Sequence, residues 1–448
     1  MSKNKDAERT IGYLPDETPS YGKLFLFAFQ QVLVMFPATV TVALLTGFHV
    51  STTIFASGFA TLCFLLITKG KIPLYFGSSF SYIAAVVGIT GAGFGQTVSN
   101  ELIGQAQFGI ICSGIVSIAA GFIVNSFGME KIEKILPPTV TGSIAMIIGI
   151  SLASTAITQA AGYDAAAGTV SNNGWIAALV TLVATVFFSV YLKGIWAQVP
   201  ILLGILVGYF VSIPLGLVDF SMIMADGVIA VPNFTLPIPN AAAMLAIMPI
   251  AIATIPESTA HLFQLDIYVN DLAKKKKKPE YKIADKLGLN LIGDGVGDIV
   301  ASLFGGPGGT NYGENISTMA ITKNFSVKML GTAAVLSMGL SFIGPLSNLI
   351  NTIPGSVING ACIFLFGVIA AQGIAIMVNK SVDLFNTRNL AVIAVTMVIG
   401  IGGHYGFDGG LIPIFGMKLP AISTAAIVGI VMNLLLSIGQ KEEDTVSE

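Results

Sequence analysis

Long apolar stretches recur along almost the whole chain, each near the roughly 20 residues that a spanning helix needs. Fourteen are legible, at 24–46, 50–68, 73–90, 107–127, 139–160, 174–192, 198–217, 240–264, 287–304, 310–323, 326–350, 356–378, 389–403 and 419–438. The pattern predicts an all-α polytopic membrane protein. The third and tenth stretches are interrupted, and at matching places. Phe76-Gly77-Ser78-Ser79-Phe80-Ser81 and Tyr312-Gly313-Glu314-Asn315-Ile316-Ser317 both read aromatic, Gly, polar, polar, apolar, Ser, 236 positions apart. Each lies in a Gly/Pro-rich setting, with Pro73 and Gly77 in the first and Gly305 to Gly309 around Pro307 in the second. Broken segments at corresponding places in two halves mark the binding site of a transporter built from internal repeats. Fourteen spans divide into seven plus seven, joined near 218–239. Seven is odd, so the second half enters the membrane from the other side and the repeats are inverted.

Composition agrees with lipid as the main solvent. Of 448 residues, 54% are hydrophobic and 10% charged, against about 25% charged in soluble domains. If the N-terminus lies in the cytoplasm and every span crosses, 21 of the 22 basic residues fall on that side, with only Lys418 opposite. That split follows the positive-inside rule and places both termini in the cytoplasm. The first 23 residues are polar, with Pro15 and Pro19, and do not read as a signal peptide. The run Lys274 to Lys278 reads as a solvated turn, and the tail 441–448 as an acidic, disordered end. Cys63, Cys112 and Cys362 fall in apolar spans and read as packing residues. A net charge of −2 without a basic face argues against a nucleic-acid partner. The three histidines are scattered and no HExxH, GxSxG or CxxC occurs, so neither a hydrolase nor a metal centre is indicated.

The chemistry-bearing residues concentrate around the interruptions. Backbone leaves helical form inside a membrane only where protein or a water cavity satisfies it. Extended chain is therefore expected at Phe76–Phe80 and Asn311–Gly313, each followed by a half-helix, the second running from Gly313 to Lys323. The free N–H groups near Phe80 and Gly313 are donors suited to carbonyl or anionic groups. Glu257 and His261 stand four residues apart, hence on one helix face. Ionisable groups inside a membrane are costly unless they line a cavity. Asp294 and Asp298 form a second such pair, in a Gly-rich stretch that fits close helix packing better than a nucleotide loop. They are candidates for a proton or cation path.

The segment Thr310 to Lys323, with Tyr312-Gly313-Glu314-Asn315 at its centre, resembles the signature of the nucleobase–ascorbate transporter family, in the form of its bacterial uracil permease branch. Lys69 to Pro73, Gly77 to Phe80, Glu257 with His261, and Leu365 to Ala371 agree, so the resemblance covers about residues 22–438. It implies a core domain (24–134 and 240–352) and a gate domain (135–239 and 353–438), between a cytoplasmic N-terminal segment (1–23) and tail (439–448). It implies short antiparallel strands in the third and tenth segments and uracil held between the domains. By position, Glu257 and Glu314 would hydrogen-bond the pyrimidine, the N–H groups of Phe80 and Gly313 would meet its carbonyls, His261 would act through water, and Tyr312 would shape the pocket. The branch implies a proton as coupling ion, carried by Glu257 and Glu314, with Na⁺ as the alternative and no other cofactor. The chain departs from the pattern at Ser317 (a Gly in the signature), at Gln30-Gln31 (Gln-His in relatives) and at Phe366 (a Tyr in uracil carriers).

The expected activity is uracil import by alternating access in the cytoplasmic membrane, with no catalysis; the reading leaves room for a homodimer. A purine (xanthine or urate) permease of the same family is the second reading. An anion carrier of the same inverted plan is the third, and an intramembrane enzyme is the contrasting class.

Overall fold

The computed structural model describes residues 12–438 apart from 93–97, 129–135, 163–168, 195, 197–198, 222, 224–226 and 415–416. Helices dominate because a helix satisfies its own backbone polar groups where no water can. The first half comprises α1 (Tyr21–Thr46), α2 (Val50–Ile67), strand β1 (Phe76–Ser78), a 3₁₀ turn (Phe80–Tyr82) leading into α3 (Ile83–Thr90), α4 (Asn100–Phe127), α5 (Pro138–Ser151), α6 (Ala153–Ala160), α7 (Asn172–Tyr191) and α8 (Pro200–Ser212). The second half begins with α9 (Ala241–Ile247), which passes through a 3₁₀ turn into α10 (Ala251–Lys275). Then come α11 (Leu287–Leu303), strand β2 (Gly309–Asn311), α12 (Gly313–Thr322), α13 (Val327–Leu340), α14 (Gly344–Asn351), α15 (Gly355–Asn379) and α16 (Thr387–Met397). A π-helical turn, α17 (Gly403–Gly406), the hairpin β3 (Leu411–Ile414) and β4 (Met417–Pro420), and α18 (Ala421–Ser437) complete it.

Eight helical stretches among the described residues are long and apolar enough to cross a membrane, and four shorter apolar helices accompany them. With α11 and α12 these make the expected fourteen segments. Three details differ from the apolar pattern. The stretch 326–350 is two helices, because Pro345 has no N–H to continue a ladder and opens α14 instead. The stretch 240–264 runs on to Lys275, so the lysine run begins inside the last turn of α10. The β3–β4 hairpin lies in a region that the apolar pattern left as connection.

The helices pack in two groups. In one, α11 lies against α4 and α2, and α13 against α2 and α1. In the other, α15 lies against α5 and α7, α8 against α7, and α16 and α18 against α5. The glycines of α11 do permit close packing: a Cβ on Gly295 would fall 2.3 Å from the Gly114 carbonyl of α4. The main buried cluster centres on the first group, with Met35, Phe64, Tyr75, Leu265, Tyr312 and Met329, and reaches α15 of the second through Ile358, Cys362 and Phe366. The link between the halves lies across this group at one end, where Thr52 donates to the Asn233 carbonyl at 2.8 Å and Gln107 to that of Thr235 at 3.1 Å.

The broken segments meet. β1 pairs antiparallel with β2 in the register Phe76↔Asn311, Gly77↔Thr310, Ser78↔Gly309. Tyr312 N–H extends the ladder to the Tyr75 carbonyl at 3.0 Å. Polar side chains of α2 brace the outer edge: Ser57 and Thr61 both donate to the Phe76 carbonyl at 2.9 Å.

Candidate functional site

The site is assembled from the two ends of this ladder. After β1, Ser79 remains extended and caps the 3₁₀ turn, accepting from Ser81 N–H at 3.2 Å. Helical chain thus begins at Phe80, slightly earlier than the extended span expected for Phe76–Phe80. After β2, Tyr312 is extended (φ −83°, ψ 116°) and α12 starts at Gly313. The first N–H groups of a helix have no partner within it, and Glu314 in this first turn complements the positive end of the dipole. Lys323, in the left-handed conformation (φ 52°), ends α12 and returns its N–H to the Met319 carbonyl.

A cavity of about 610 Å³ lies between the two helix groups. All six residues that the sequence put forward for substrate binding line it: Phe80, Glu257, His261, Tyr312, Gly313 and Glu314. Glu257 and His261 share one face of α10, just past Pro256, which removes one rung of the helix ladder. Ser81 donates to Glu257 Oε2 at 3.3 Å. His261 presses its ring on Gly313, where a Cβ would fall 2.8 Å from Nε2. Glu314 is exposed within the cavity. Tyr312, 4% exposed, is held from the first half. Its ring stacks parallel to Tyr75 with centroids 6.4 Å apart, and its hydroxyl shares a hydrogen bond with Thr39 Oγ1 at 2.9 Å. The facing wall comes from the other helix group and is mostly apolar, with Pro200, Ile201, Leu365, Val368 and Ile369.

Asp294 and Asp298 do not reach this cavity; they line a narrow interstice behind β2 instead. Asp298 Oδ1 accepts from Gly309 N–H at 2.7 Å and Oδ2 from the Tyr82 hydroxyl at 2.9 Å. Asp294 accepts from Ser258, whose oxygen in turn accepts from Asn290 at 2.7 Å and Asn311 at 3.1 Å. The pair therefore holds β2 and the start of the first half-helix in place from behind.

Comparison with known proteins places the chain. Residues 22–409 match a family model, Xan_ur_permease, described as Permease family. This chain belongs to that permease family. It is 36% identical to the uracil permease of Bacillus caldolyticus, over 94% of this chain and 93% of that one. It is 35% identical to the uracil permease of Bacillus subtilis (94% of each chain) and 34% identical to the putative pyrimidine permease RutG of Escherichia coli (94% and 91%). Among solved structures, the transmembrane domain of the cyanobacterial bicarbonate transporter BicA aligns with a TM-score of 0.56 at 15% identity, over 94% of this chain and 99% of that one. Murine SLC26A9, an anion transporter captured inward-facing, aligns with a TM-score of 0.66 at 12% identity, over 94% of this chain and 69% of that one. The solved structures show the fold, inverted repeats organised as core and gate, and the permease relatives together with the apolar spans make this an integral, multi-pass membrane protein.

Two site features escaped the sequence reading. Ser81 was legible in hindsight, because it holds the same place in the first hexad as Ser317 in the second, and both line the cavity. Gln264, one turn beyond His261 on α10, also lines it, and the heptad-free apolar pattern gave no signal for it. Of the noted departures, Gln31 is buried and accepts from Asn315 Nδ2 at 2.7 Å, so it supports α12 from outside the cavity. Phe366 is buried at 2% exposure and turns from the cavity that Leu365 lines. The missing hydroxyl at that position thus removes nothing from the cavity wall.

Proposed function

We propose that this protein is a proton-coupled symporter that imports uracil across the cytoplasmic membrane by alternating access. The supporting observation is the convergence of Glu257, Glu314 and the N–H end of α12 on one cavity beside the paired strands. Uracil offers ring N–H donors and carbonyl acceptors. Carboxylates accept from the first, and the N–H groups at Phe80 and Gly313 donate to the second. Among the described residues, the cavity wall carries Glu257 and Glu314 and neither lysine nor arginine, which favours a neutral base over an anion. The permeases of Bacillus named above support the same substrate class.

A neutral base carries no charge, so uphill uptake needs an ion. Glu257 and Glu314 are the proposed proton carriers, with His261 tuning them and Asp294 and Asp298 as a second layer behind β2. In this reading 24–134 and 240–352 form the core that carries the site, and 135–239 and 353–438 form the gate. The cavity extends along α15 from Phe364 to Asn379, next to Lys380. With lysine-rich ends in the cytoplasm, that direction corresponds to an inward-facing state. Binding of radiolabelled uracil to purified protein, competed by a panel of pyrimidines and purines and repeated across pH, tests the proposal. Preferential displacement by xanthine or urate would move the assignment to a purine permease; pH-independent accumulation that follows a Na⁺ gradient would replace the proton.

A further inference from the structure

The segment before α1 is not a free polar tail. Tyr13 N–H donates to the Lys323 carbonyl at 2.7 Å, and Phe325 N–H returns to the Tyr13 carbonyl at 2.8 Å. Val327 N–H donates to the Pro15 carbonyl at 3.1 Å, and Ser326 Oγ to that of Glu17 at 2.6 Å. Leu14 is fully buried among the core residues. Lys276 Nζ donates to the Gly12 carbonyl at 2.9 Å and to Glu17 Oε2 at 2.5 Å, with its side chain only 7% exposed. Lys278 reaches Glu17 Oε1 at 2.9 Å. Asp16 takes a hydrogen bond from the Tyr281 hydroxyl.

The two anchor points are specific. Lys276 caps the C-terminus of α10 and Lys323 that of α12. These are the two helices that carry Glu257 with His261 and Glu314 with Gly313. We propose that Gly12–Glu17 is a positioning clamp for the binding site, fixing α12 against α10 at the ends remote from the substrate. The helix α12 has ten residues, a length too short to be stable alone, so its rotation and tilt depend on its mountings: the Gln31 bond to Asn315 along it and what holds its two ends. One end is β2; the other is this segment. A turn of about 20° about the α12 axis swings a side-chain head some 5–6 Å off-axis through roughly 2 Å. That is enough to part a carboxylate from a ring N–H. Every clamp contact described lies on the helix group that contains β1 and β2, so the clamp travels with the site and leaves the stroke between the groups untouched. Glu17 and Lys276 are thus positioning residues, acting through α10 and α12.

The inference rests on the reading of the cavity as a nucleobase site, and the experiment separates the two. Uracil affinity and uptake kinetics are measured for wild type, Glu17→Ala, Lys276→Ala and the conservative Lys276→Arg, which keeps donors for the Gly12 carbonyl and Glu17. Hydrogen exchange of the 313–322 amides is followed without ligand. The clamp predicts faster exchange and about tenfold weaker binding in the two alanine variants, with KM raised and saturated turnover kept, and exchange and affinity close to wild type in Lys276→Arg; tenfold corresponds to 1.4 kcal/mol. A fall in Tm with unchanged exchange and unchanged affinity would reduce the segment to a general staple and overturn the proposal. If wild type binds no uracil yet exchange rises in the alanine variants, the substrate assignment fails and the clamp stands.

Discussion

The two broken segments share a geometry, a strand followed one residue later by a helical start, but they do different work. That geometry aligns Phe76–Ser78 with Gly309–Asn311 and Phe80 with Gly313, so the two hexads sit out of register in the fold. The first, around β1, is neutral: in the fold Ser81 stands where the second has Glu314. Its residues brace and cap. Ser79 caps its own turn, Ser81 holds Glu257, and Gly77 yields space to the Tyr312 ring. The second segment, around β2, brings the acid. It has mountings of its own, Gln31 on Asn315, Asp298 on Gly309 and the N-terminal clamp at Lys323. An inverted repeat thus gives two equivalent frames, and substitution within one of them creates a polarised site. The copy that bears the charge needs a firm mounting, because a carboxylate shifted from its place on the cavity wall no longer meets its ligand.

Removing the charge from the second copy should have the largest effect. Glu314→Gln and Glu257→Gln are each expected to abolish pH-driven accumulation and to weaken uracil binding on the order of a hundredfold, since a hydrogen bond to a charged group contributes up to about 3 kcal/mol. Accumulation at the wild-type level in either variant would exclude that acid from coupling. Exchanging the hexad glycines comes next. A Cβ at Gly77 would lie 2.3 Å from the Tyr312 ring, which Thr39 and Tyr75 hold fixed, whereas a Cβ at Gly313 would meet the tip of His261 at 2.8 Å. Gly77→Ala should therefore lower stability by about 1–3 kcal/mol, the usual range for overpacking. Gly313→Ala should cost less in Tm while still weakening binding; thermal unfolding of the two proteins ranks them, and an inverted order would contradict this account of the packing. The paired serines give a smaller contrast. Ser81→Ala removes the bond to Glu257 and should reduce affinity roughly fivefold, as for a net hydrogen bond of about 1 kcal/mol, with Ser317→Ala closer to wild type. Equal losses in titration calorimetry would mean that the two hexads contribute alike.

The last contrast, read as the pH dependence of stability, concerns the clamp, which only the second copy has. Burial by itself would raise the Glu17 pKa, but hydrogen bonds from Lys276, Leu14 N–H and Lys278 outweigh it and hold the carboxyl below its ordinary value of 4.5. Asp16, Lys276, Lys278 and Tyr281 are the titratable groups around it. A depressed carboxylate contributes stability above its unfolded pKa and loses it as pH falls through the folded one. The Tm gap between wild type and Glu17→Gln should hence be full at pH 7 and shrink below the ordinary value. A gap that widens on acidification would show that the carboxylate is not what holds the segment.

Much of this was legible in the chain. The fourteen segments follow from apolar length, and the site follows from two matched interruptions, because Gly and Pro break helices at positions that composition makes conspicuous. The hexads that flagged them lie out of register, since β1 falls within the first and β2 ahead of the second. Glu257 and His261 were visible as ionisable residues one turn apart in an apolar run. What the pattern left hidden depends on tertiary distance. Nothing in the sequence separates Glu314, which faces the cavity, from Asp294 and Asp298, which sit behind the strand; all are acids in apolar surroundings. The clamp was hidden for a related reason. A polar stretch with prolines reads as solvated until Tyr13 and Pro15 are seen to meet the backbone carbonyl and N–H groups between α12 and α13.

The ladder between Phe76 and Asn311 also constrains biogenesis. Its two strands are made far apart in time on the ribosome, and neither can be satisfied within its own half. Contacts of such long sequence separation form late in folding. A chain halted after the first half therefore holds an unpaired strand and no site, so a truncated product inserted in the bilayer is inert toward solute. Conversely, two halves expressed as separate polypeptides should regain function only when they are present together.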